Sequence, residues 1–332
     1  AQDRYKRIVI APDNVDTWLV AVFIQAHERP PTRIVLDLDA TDDPVHGNQE
    51  GRFFHGYYGC YCYLPLYIFC GEHLLCARLR PSNIDACVGT VEELQRIIPQ
   101  IRRAWPDVEI VIRGDSGFCR EEIMAWCETN DVESYLGMAK NARLLEALEP
   151  TLREAELIYE ETGEYGRAYG DFTYQTLESW SCARRVVGKA EYTRGKENPR
   201  FVVTSVSAET MDARTVYEQE YCARGEMENR IKEQQLDLFA DRTSTSTLKA
   251  NQLRLYFSSI AYLLLQGLRR LGLARTEMAH AQCGTIRVKL LKIGTYLKVT
   301  VRKVWLSLSE SYPYQELFYT IYRQLMSIPQ RE

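Results

Sequence analysis

The stretch Arg33-Ile-Val-Leu-Asp-Leu-Asp39 alternates apolar and acidic side chains in its second half, which is the pattern of a β-strand with one buried face. Successive side chains of a strand point to opposite faces, so Leu36 and Leu38 share one face while Asp37 and Asp39 share the other. A carboxylate at the end of a buried strand is costly unless it is hydrogen-bonded or bound to a cation. The stretch therefore predicts a core strand whose acids either bind a cation or cap the following loop.

The segments after this strand predict a mixed α/β sheet. Residues 57–70 and 73–79 are rich in aromatic and β-branched residues, which indicates a meander of antiparallel strands. Helical spacing over residues 91–105 precedes a short apolar strand at 109–113, and residues 119–138 predict another helix and another strand. Three strands followed by a helix, a strand, a helix and a strand are typical of an α/β sheet with a mixed edge.

The second half of the chain changes character several times. Residues 165–206 are rich in Tyr, Thr, Val and Trp with glycine turns, and they predict an all-β insertion. Residues 215–272 predict two helices. Alternation over residues 285–306 predicts strands, and a terminal helix is expected around residues 314–326.

The overall composition excludes several classes of protein. The 332 residues carry 41 Lys and Arg against 45 Asp and Glu, a net charge of −4, which argues against a histone-like protein that holds nucleic acid by bulk charge. The first 25 residues contain no secretory signal. The longest apolar stretch, Tyr256–Leu268, is interrupted by polar residues and predicts a core helix, not a membrane span. We therefore expect a cytoplasmic globular protein with no membrane partner.

A second acid, Asp115, ends the short apolar strand at a glycine-flanked turn, where a carboxylate can project. Taken alone, either Asp39 or Asp115 is most simply a residue that caps a loop. Two such acids in one α/β region favour a divalent-metal site, because Mg²⁺ prefers a few carboxylates together with water and substrate phosphate.

Residues 217–235 read as a helix on which four polar side chains align. At about 100° per residue, Tyr221, Arg224, Glu228 and Gln235 fall within roughly 60° of one another. A solvated helix with i,i+4 pairs, such as Arg224–Glu228 and Glu228–Lys232, explains the same spacing. Spacing alone therefore leaves a functional face and a solvated face equally plausible.

The run Tyr221-x2-Arg224-x3-Glu228 resembles the Y-x2-R-x3-E-x6-K signature of bacterial insertion-sequence transposases with a DDE, RNase H-like catalytic domain. Leu36-Asp-Leu-Asp39-Ala-Thr41 is similar to the first-acid strand of that group, and Arg113-Gly-Asp115-Ser-Gly-Phe118 resembles its second-acid motif. The three motifs occur in family order, and the text of residues 37–59 and 221–233 looks closest to the branch named after insertion sequence thirteen-eighty.

This resemblance implies an RNase H-like mixed sheet flanked by helices, with an all-β subdomain inserted before the last catalytic helix. It divides the chain into a remnant of an N-terminal region (1–32), the first part of the catalytic core (33–150), a β-rich insertion subdomain (151–212), the second part of the core (213–272) and a C-terminal basic strand and helix region (273–332). Because only about 30 residues precede the first catalytic strand, we expect the family's N-terminal DNA-binding region to be missing or truncated.

The resemblance also implies a metal site that cuts and joins double-stranded DNA at the ends of a mobile element. Asp39, Asp115 and Glu228 are the expected ligands of two Mg²⁺ or Mn²⁺ ions, with Asp37 in reserve as the first acid. Carboxylate oxygens suit these hard cations, and their mutual repulsion is relieved when the cations bind. The enzyme is expected to act as a homodimer on DNA.

Several further residues are candidates for DNA contact. Tyr221 and Arg224 would bind phosphate near the scissile bond. The final Lys of the signature is Gln235 here, so Lys232 or Arg230 could take its place. Residues 269–303 contain nine Lys and Arg against one acid, which predicts either a phosphate footprint or an ordinary solvated surface. The footprint residues would be Lys289, Lys292, Lys298, Arg302 and Lys303.

Trp180, in the predicted insertion, is either a residue that stacks on an extruded base or a buried aromatic, and the buried aromatic is the commoner case. Two alternatives to a transposase stay open. One is an RNase H-like metal-dependent nuclease without strand transfer, and the other is a truncated or domesticated DNA-binding protein without catalysis.

Overall fold

A large mixed sheet forms the centre of the fold in the computed structural model, which describes residues 11–328. The strands follow the chain as β1 (Arg33–Ala40), β2 (Asp43–Pro44), β3 (Phe53–His55), β4 (Cys60–Tyr63), β5 (Leu66–Cys70), β6 (His73–Arg78), β7 (Glu109–Gly114), β8 (Glu133–Met138), β9 (Gly166–Tyr174), β10 (Arg184–Thr193), β11 (Lys196–Glu197), β12 (Arg200–Thr204), β13 (Thr295–Val299) and β14 (Val304–Leu308).

The order of the main sheet is β11-β10-β12-β8-β7-β1-β5-β6, with β9 paired to β10. Strand β1 runs antiparallel to β5 and parallel to β7, and β7 is parallel to β8. The predicted mixed α/β sheet is therefore confirmed. Two smaller sheets, β2-β4-β3 and β13-β14, complete the strands.

The helices occur before, between and after these strands in the chain. They are α1 (Pro12–Gln25), α2 (Thr90–Ala104), α3 (Glu121–Thr129), α4 (Ala142–Thr162), α5 (residues 213–237), α6 (Leu248–Leu268, continued by Arg269–Leu273), α7 (Cys283–Ile286, continued by Arg287–Leu291) and α8 (Gln315–Met326). No helix in residues 11–328 is long and apolar enough to cross a membrane.

The alternation in β1 places its leucines in the core, as predicted. Leu36 and Leu38 are fully buried and belong to the main hydrophobic cluster. The helical spacing of α2 contributes Leu94, Ile97 and Ile101 to the same cluster, each of them fully buried. Burial of each such side chain stabilises the fold by about 1.5–3 kcal/mol. The core thus fixes which face of β1 the acids occupy.

The β-rich segment continues the main sheet. Strand β12 pairs antiparallel with β8, with Val202 opposite Gly137, and β10 pairs with both β12 and β9. Helix α4 packs Leu148 so closely on β10 that a Cβ on Gly188 would lie 2.5 Å from a Leu148 methyl. The predicted strands are confirmed. A separate inserted subdomain is not confirmed, because β12 hydrogen-bonds to the edge of β8 and so makes these strands part of the main sheet.

The strand prediction for residues 285–291 is wrong, since these residues form α7. Ile286 and Leu290 are buried while Val288 is 55% exposed, so the buried residues recur every four positions and not every two. Two acids fix the start of the helix, because the amides of Cys283 and Gly284 donate to the carboxylates of the buried Glu233 and the half-buried Asp237 at 3.0 and 2.7 Å. The predicted strands further on and the terminal helix are confirmed as β13, β14 and α8.

The chain divides into two compact units. Among the described residues, one contains 11–229 together with 244–252, and the other contains 230–243 and 253–328. The first unit holds the main sheet and helices α1 to α4. The second holds the end of α5, most of α6, helices α7 and α8 and the β13-β14 hairpin.

Candidate active site

The first two predicted acids lie side by side at the ends of parallel strands. In the register of β1 and β7, Leu38 is opposite Gly114, and each is followed directly by an acid, Asp39 and Asp115. Parallel neighbours end at the same edge of a sheet, so their next residues lie close together. The strand register therefore supplies the proximity that the sequence motifs only imply.

The turn after β7 is built so that Asp115 can project. One carboxylate oxygen of Asp115 accepts the backbone N–H of Gly117 at 2.8 Å. Gly114 has no room for a side chain, because a Cβ there would lie 2.9 Å from the Cβ of the buried Phe118. The Gly-Asp-Ser-Gly-Phe sequence thus forms a tight turn around one half-buried acid.

Helix α5 brings the third acid and is irregular where it passes the sheet. Val216–Tyr221 is a π-helical turn, Cys222–Arg224 is a 3₁₀ turn, and Gly225–Lys232 is α-helical. Mid-helix π and 3₁₀ turns are frequent at functional sites. Arg224 lies 3.6 Å from Glu228, whose side chain is 49% exposed.

Tyr221 packs directly on the sheet. A Cβ built on Gly137 of β8 would lie 2.3 Å from the Tyr221 hydroxyl and 3.2 Å from the backbone N of Ser116, the residue after Asp115. The hydroxyl therefore lies beside the turn that carries the second acid, in space that only glycine leaves open.

The three acids and Arg224 are electrostatic neighbours. Burial raises the pKa of Asp39 to about 6; the charge of Arg224 and the Ala40 N–H oppose this, and the negative charges of Asp115 and Glu228 add to it. Burial lowers the pKa of Arg224, but nearby Tyr221 and the three acids outweigh it, so the pKa is raised. The structure thus brings together the predicted acids and the predicted arginine.

The chemistry of these residues fits a hard divalent cation. Carboxylate oxygens are the ligands that Mg²⁺ and Mn²⁺ prefer, and Asp39 and Asp115 follow directly on paired strand positions. Within residues 11–328, no group of three or more His, Cys, Asp or Glu side chains is already arranged to hold a metal ion. Glu228 instead faces Arg224, so it would have to turn from that pair to join the two strand acids.

Asp37, the reserve candidate, has a different partner. Both of its oxygens accept hydrogen bonds from Arg113, at 2.6 and 2.8 Å, and its side chain is 6% exposed. Asp39, two residues on, is the acid of β1 whose electrostatic neighbours are the other two acids.

Trp180 lies in the core. It is 7% exposed, and its ring meets Tyr174 edge-on at 5.8 Å while the guanidinium of Arg184 lies 5.5 Å from its centroid. This is the buried aromatic that the sequence left open as the alternative to base stacking.

The remaining predicted DNA contacts belong to the second unit. Arg230 donates to the buried Glu233 at 2.8 Å, whereas Lys232 is exposed and Gln235 is half-buried. Lys289 is half-buried, with its ammonium 5.1 Å from the ring of Tyr314. The exposed members of the predicted footprint are Lys292, Lys298, Arg302 and Lys303.

Two residues beside the candidate acids, Tyr58 and Arg113, were not predicted from the sequence to have a role in the site. Tyr58 donates its hydroxyl to the carbonyl of Ala40 at 3.2 Å, and burial raises its pKa, to which the charges of Asp39 and Asp115 add. Arg113 stands inside the second-acid motif, but its partners depend on strand register, which spacing alone does not give.

The family model described as "Transposase DDE domain group 1" matches residues 2–330. The chain belongs to this DDE transposase family. The match covers both the strands that carry Asp39 and Asp115 and the helix that carries Glu228. It does not separate the bacterial branches of such enzymes.

Comparison of this DDE transposase with solved structures finds similarity to a chain described as the "cryo-EM structure of piggyBac transposase synaptic complex with hairpin DNA". The two share 11% sequence identity with a TM-score of 0.41. The match covers 93% of the present chain but spans only 57% of that chain. A comparison with curated protein sequences found no match.

Proposed function

We propose that this DDE transposase cuts DNA at the ends of an insertion sequence and joins those ends to target DNA, using two Mg²⁺ or Mn²⁺ ions. The observation that carries the proposal is the parallel register of β1 and β7, which puts Asp39 and Asp115 directly after paired residues. Glu228 is among the charges that add to the raised pKa of Asp39. Asp39 and Asp115 are held by paired strands, and Glu228, whose half-exposed side chain lies 3.6 Å from Arg224, would turn from that arginine toward them.

Each residue then has a distinct role. Asp39, Asp115 and Glu228 would hold the metal ions, which when bound supply an activated water or 3′-hydroxyl and stabilise the leaving oxygen. Arg224 neutralises the acids before DNA arrives and would then bind a phosphate oxygen by its charged fork. Tyr221, fixed over Gly137, would donate its hydroxyl to a phosphate next to the cleaved bond.

The topology of the first unit supports an RNase H-like core. Strands β1, β5 and β6 form an antiparallel meander, and β7 and β8 follow in parallel after α2 and α3. Within the proposal, the exposed Lys292, Lys298, Arg302 and Lys303 bind the DNA backbone, and the protein acts as a homodimer on two DNA ends in the cytoplasm.

The test is DNA cleavage by the full chain, using the DNA that flanks its own coding sequence and Mn²⁺. We expect Glu228→Gln to lose cleavage while Glu226→Gln, an exposed acid of the same helix, retains it. Equal activity of the two variants would refute the proposed site.

The same experiment separates the alternatives. Cleaved ends that never join a target would identify a nuclease without strand transfer. DNA binding by the wild-type chain without any cleavage would identify a non-catalytic binding protein.

A further inference from the structure

Arg113 is a buried residue that contacts each of the other elements on which the candidate acids lie. It belongs to β7, two positions before Asp115, and the parallel register places it opposite Asp37 of β1. Its side chain is 10% exposed, and that of Asp37 is 6% exposed. A buried arginine is costly unless its donors are satisfied, so its contacts define its role.

The guanidinium of Arg113 makes three hydrogen bonds, and they reach two other elements. Nε and Nη2 donate to the two carboxylate oxygens of Asp37, at 2.6 and 2.8 Å, in a side-on fork. Nη1 donates to the backbone carbonyl of Glu220 in α5, at 2.6 Å. One side chain therefore links β7 to β1 and to the helix of the third acid.

The contact with Glu220 fixes α5 at its irregular turn. Glu220 lies in the π-helical turn Val216–Tyr221, directly before Tyr221 and eight residues before Glu228. Its carboxylate accepts two hydrogen bonds from Arg33, the first residue of β1, at 3.2 and 2.8 Å. Main chain and side chain of one helical residue are thus held by two arginines from neighbouring strands.

We propose that Arg113 is a positioning residue of the active site, which ties β1, β7 and α5 together so that the acids they carry meet around the metal ions. Each of its partners lies close in the chain to a candidate acid: Asp37 is two residues before Asp39 in β1, and Glu220 is eight residues before Glu228 in α5. This inference rests on the proposed function of the site.

The chemistry of arginine is required for this arrangement. A lysine carries the same charge, but its single ammonium cannot present the planar fork to both oxygens of Asp37 while it also reaches the carbonyl of Glu220. Arg113→Lys should therefore keep the buried charge and release the helix. Partners that orient metal ligands typically change metal affinity by about 10- to 100-fold when they are lost.

The experiment measures Mn²⁺ affinity of the full chain in the absence of DNA by titration calorimetry, together with thermal unfolding. We expect Arg113→Lys to bind Mn²⁺ at least about tenfold more weakly. Arg184→Lys is the matched control, because Arg184 is also a buried arginine of the main sheet. Its partners are Glu121 and Glu128, and it pairs with none of the three candidate metal ligands. This control should lose thermal stability without losing Mn²⁺ affinity.

A second variant separates positioning from stability if Arg113→Lys folds poorly. Replacing both partners with apolar residues, Asp37→Leu with Arg113→Met, removes the buried charges together and is expected to preserve the fold. We expect it to recover thermal stability but not Mn²⁺ affinity, since the Glu220 carbonyl still lacks its donor. Recovery of both would show a purely structural role.

The outcomes distinguish the inference from the function on which it rests. Wild-type Mn²⁺ affinity in Arg113→Lys, or equal loss in Arg184→Lys, would overturn the inference and leave the transposase proposal intact. A wild-type chain that neither binds Mn²⁺ nor cleaves DNA would overturn both.

Discussion

Replacing Gly137 with alanine should push Tyr221 out of place. The new Cβ would lie 2.3 Å from the tyrosine hydroxyl, whereas non-bonded heavy atoms pack at about 3.5 Å, so the hydroxyl has to retreat by about 1.2 Å. Overpacking of this kind costs about 1–3 kcal/mol of unfolding free energy. A displacement of about 1 Å in a site that orients substrate can cost about 100-fold in rate.

The assay compares Mn²⁺-dependent DNA cleavage and thermal unfolding with those of Gly188→Ala. That control creates a similar clash, 2.5 Å from a methyl group of Leu148, in a strand remote from the acids. We expect both variants to lose stability and only Gly137→Ala to lose about 10- to 100-fold in cleavage rate. Equal losses of cleavage in the two variants would refute the functional placement of Tyr221.

A double variant tests the same contact by rescue. In Gly137→Ala with Tyr221→Phe, the atom that lies 2.3 Å away is absent, and the ring carbon that bore it lies at 3.2 Å. Thermal stability should therefore return toward the wild-type value while cleavage stays low, because the hydroxyl that would bind phosphate is gone. A double variant as unstable as Gly137→Ala would show that the clash lies elsewhere.

Three further predictions follow from charges in the structure. The pKa of Asp39 is raised to about 6 in the folded protein, so the folded state holds this proton more tightly than the unfolded state does. The metal-free protein should therefore become less stable as pH rises from about 4 through about 6, where Asp39 loses the proton. Asp39→Asn should flatten the pH dependence of thermal unfolding over this range. Glu233→Gln should destabilise the chain by about 3–5 kcal/mol in denaturant unfolding, because it leaves the buried Arg269 and nearby Arg230 without their carboxylate. Replacing the exposed Lys298, Arg302 and Lys303 with alanine should reduce the magnitude of the slope of log affinity for DNA against log salt concentration by about 2.7. An unchanged slope would show that these three residues do not bind the DNA backbone.

The sequence predicted the main sheet because its elements have strong local signals. Alternation in β1, the spacing of Leu94, Ile97 and Ile101 in α2, and the glycine-flanked turn after β7 each specify a local structure. The prediction failed in α7, because apolar residues at every second position, Ile286, Val288 and Leu290, match the repeat of a strand. Ile286 and Leu290, four residues apart, also match the repeat of a helix. The capping carboxylates of Glu233 and Asp237, which favour the helix there, are about 50 residues away in sequence.

The candidate site shows the same division between local and long-range information. Residues proposed to touch metal or DNA, such as Asp115 and Arg224, were found because their type and spacing form motifs. The residues that hold these side chains in place could not be predicted in this way. The role of Arg113 depends on its strand register with Asp37, and the role of Gly137 depends on where Tyr221 packs. A glycine in a strand is locally a weak strand residue, and only the tyrosine above it explains why a side chain is excluded.

Arg224 belongs to both kinds of residue. Its position in the motif makes it predictable from the sequence, and its effect depends on the acids that surround it in the fold. Three carboxylates close together repel one another, and the raised pKa of Asp39 reflects burial as well as that repulsion. Arg224 offsets part of the repulsion, and its pairing with Glu228 at 3.6 Å holds the third acid toward the arginine and away from the strands. Under the proposed function, bound cations would neutralise the acids, so Glu228 would be free to turn toward Asp39 and Asp115 and the guanidinium of Arg224 would be free to bind a phosphate. This exchange of partners would couple the binding of metal to the binding of DNA.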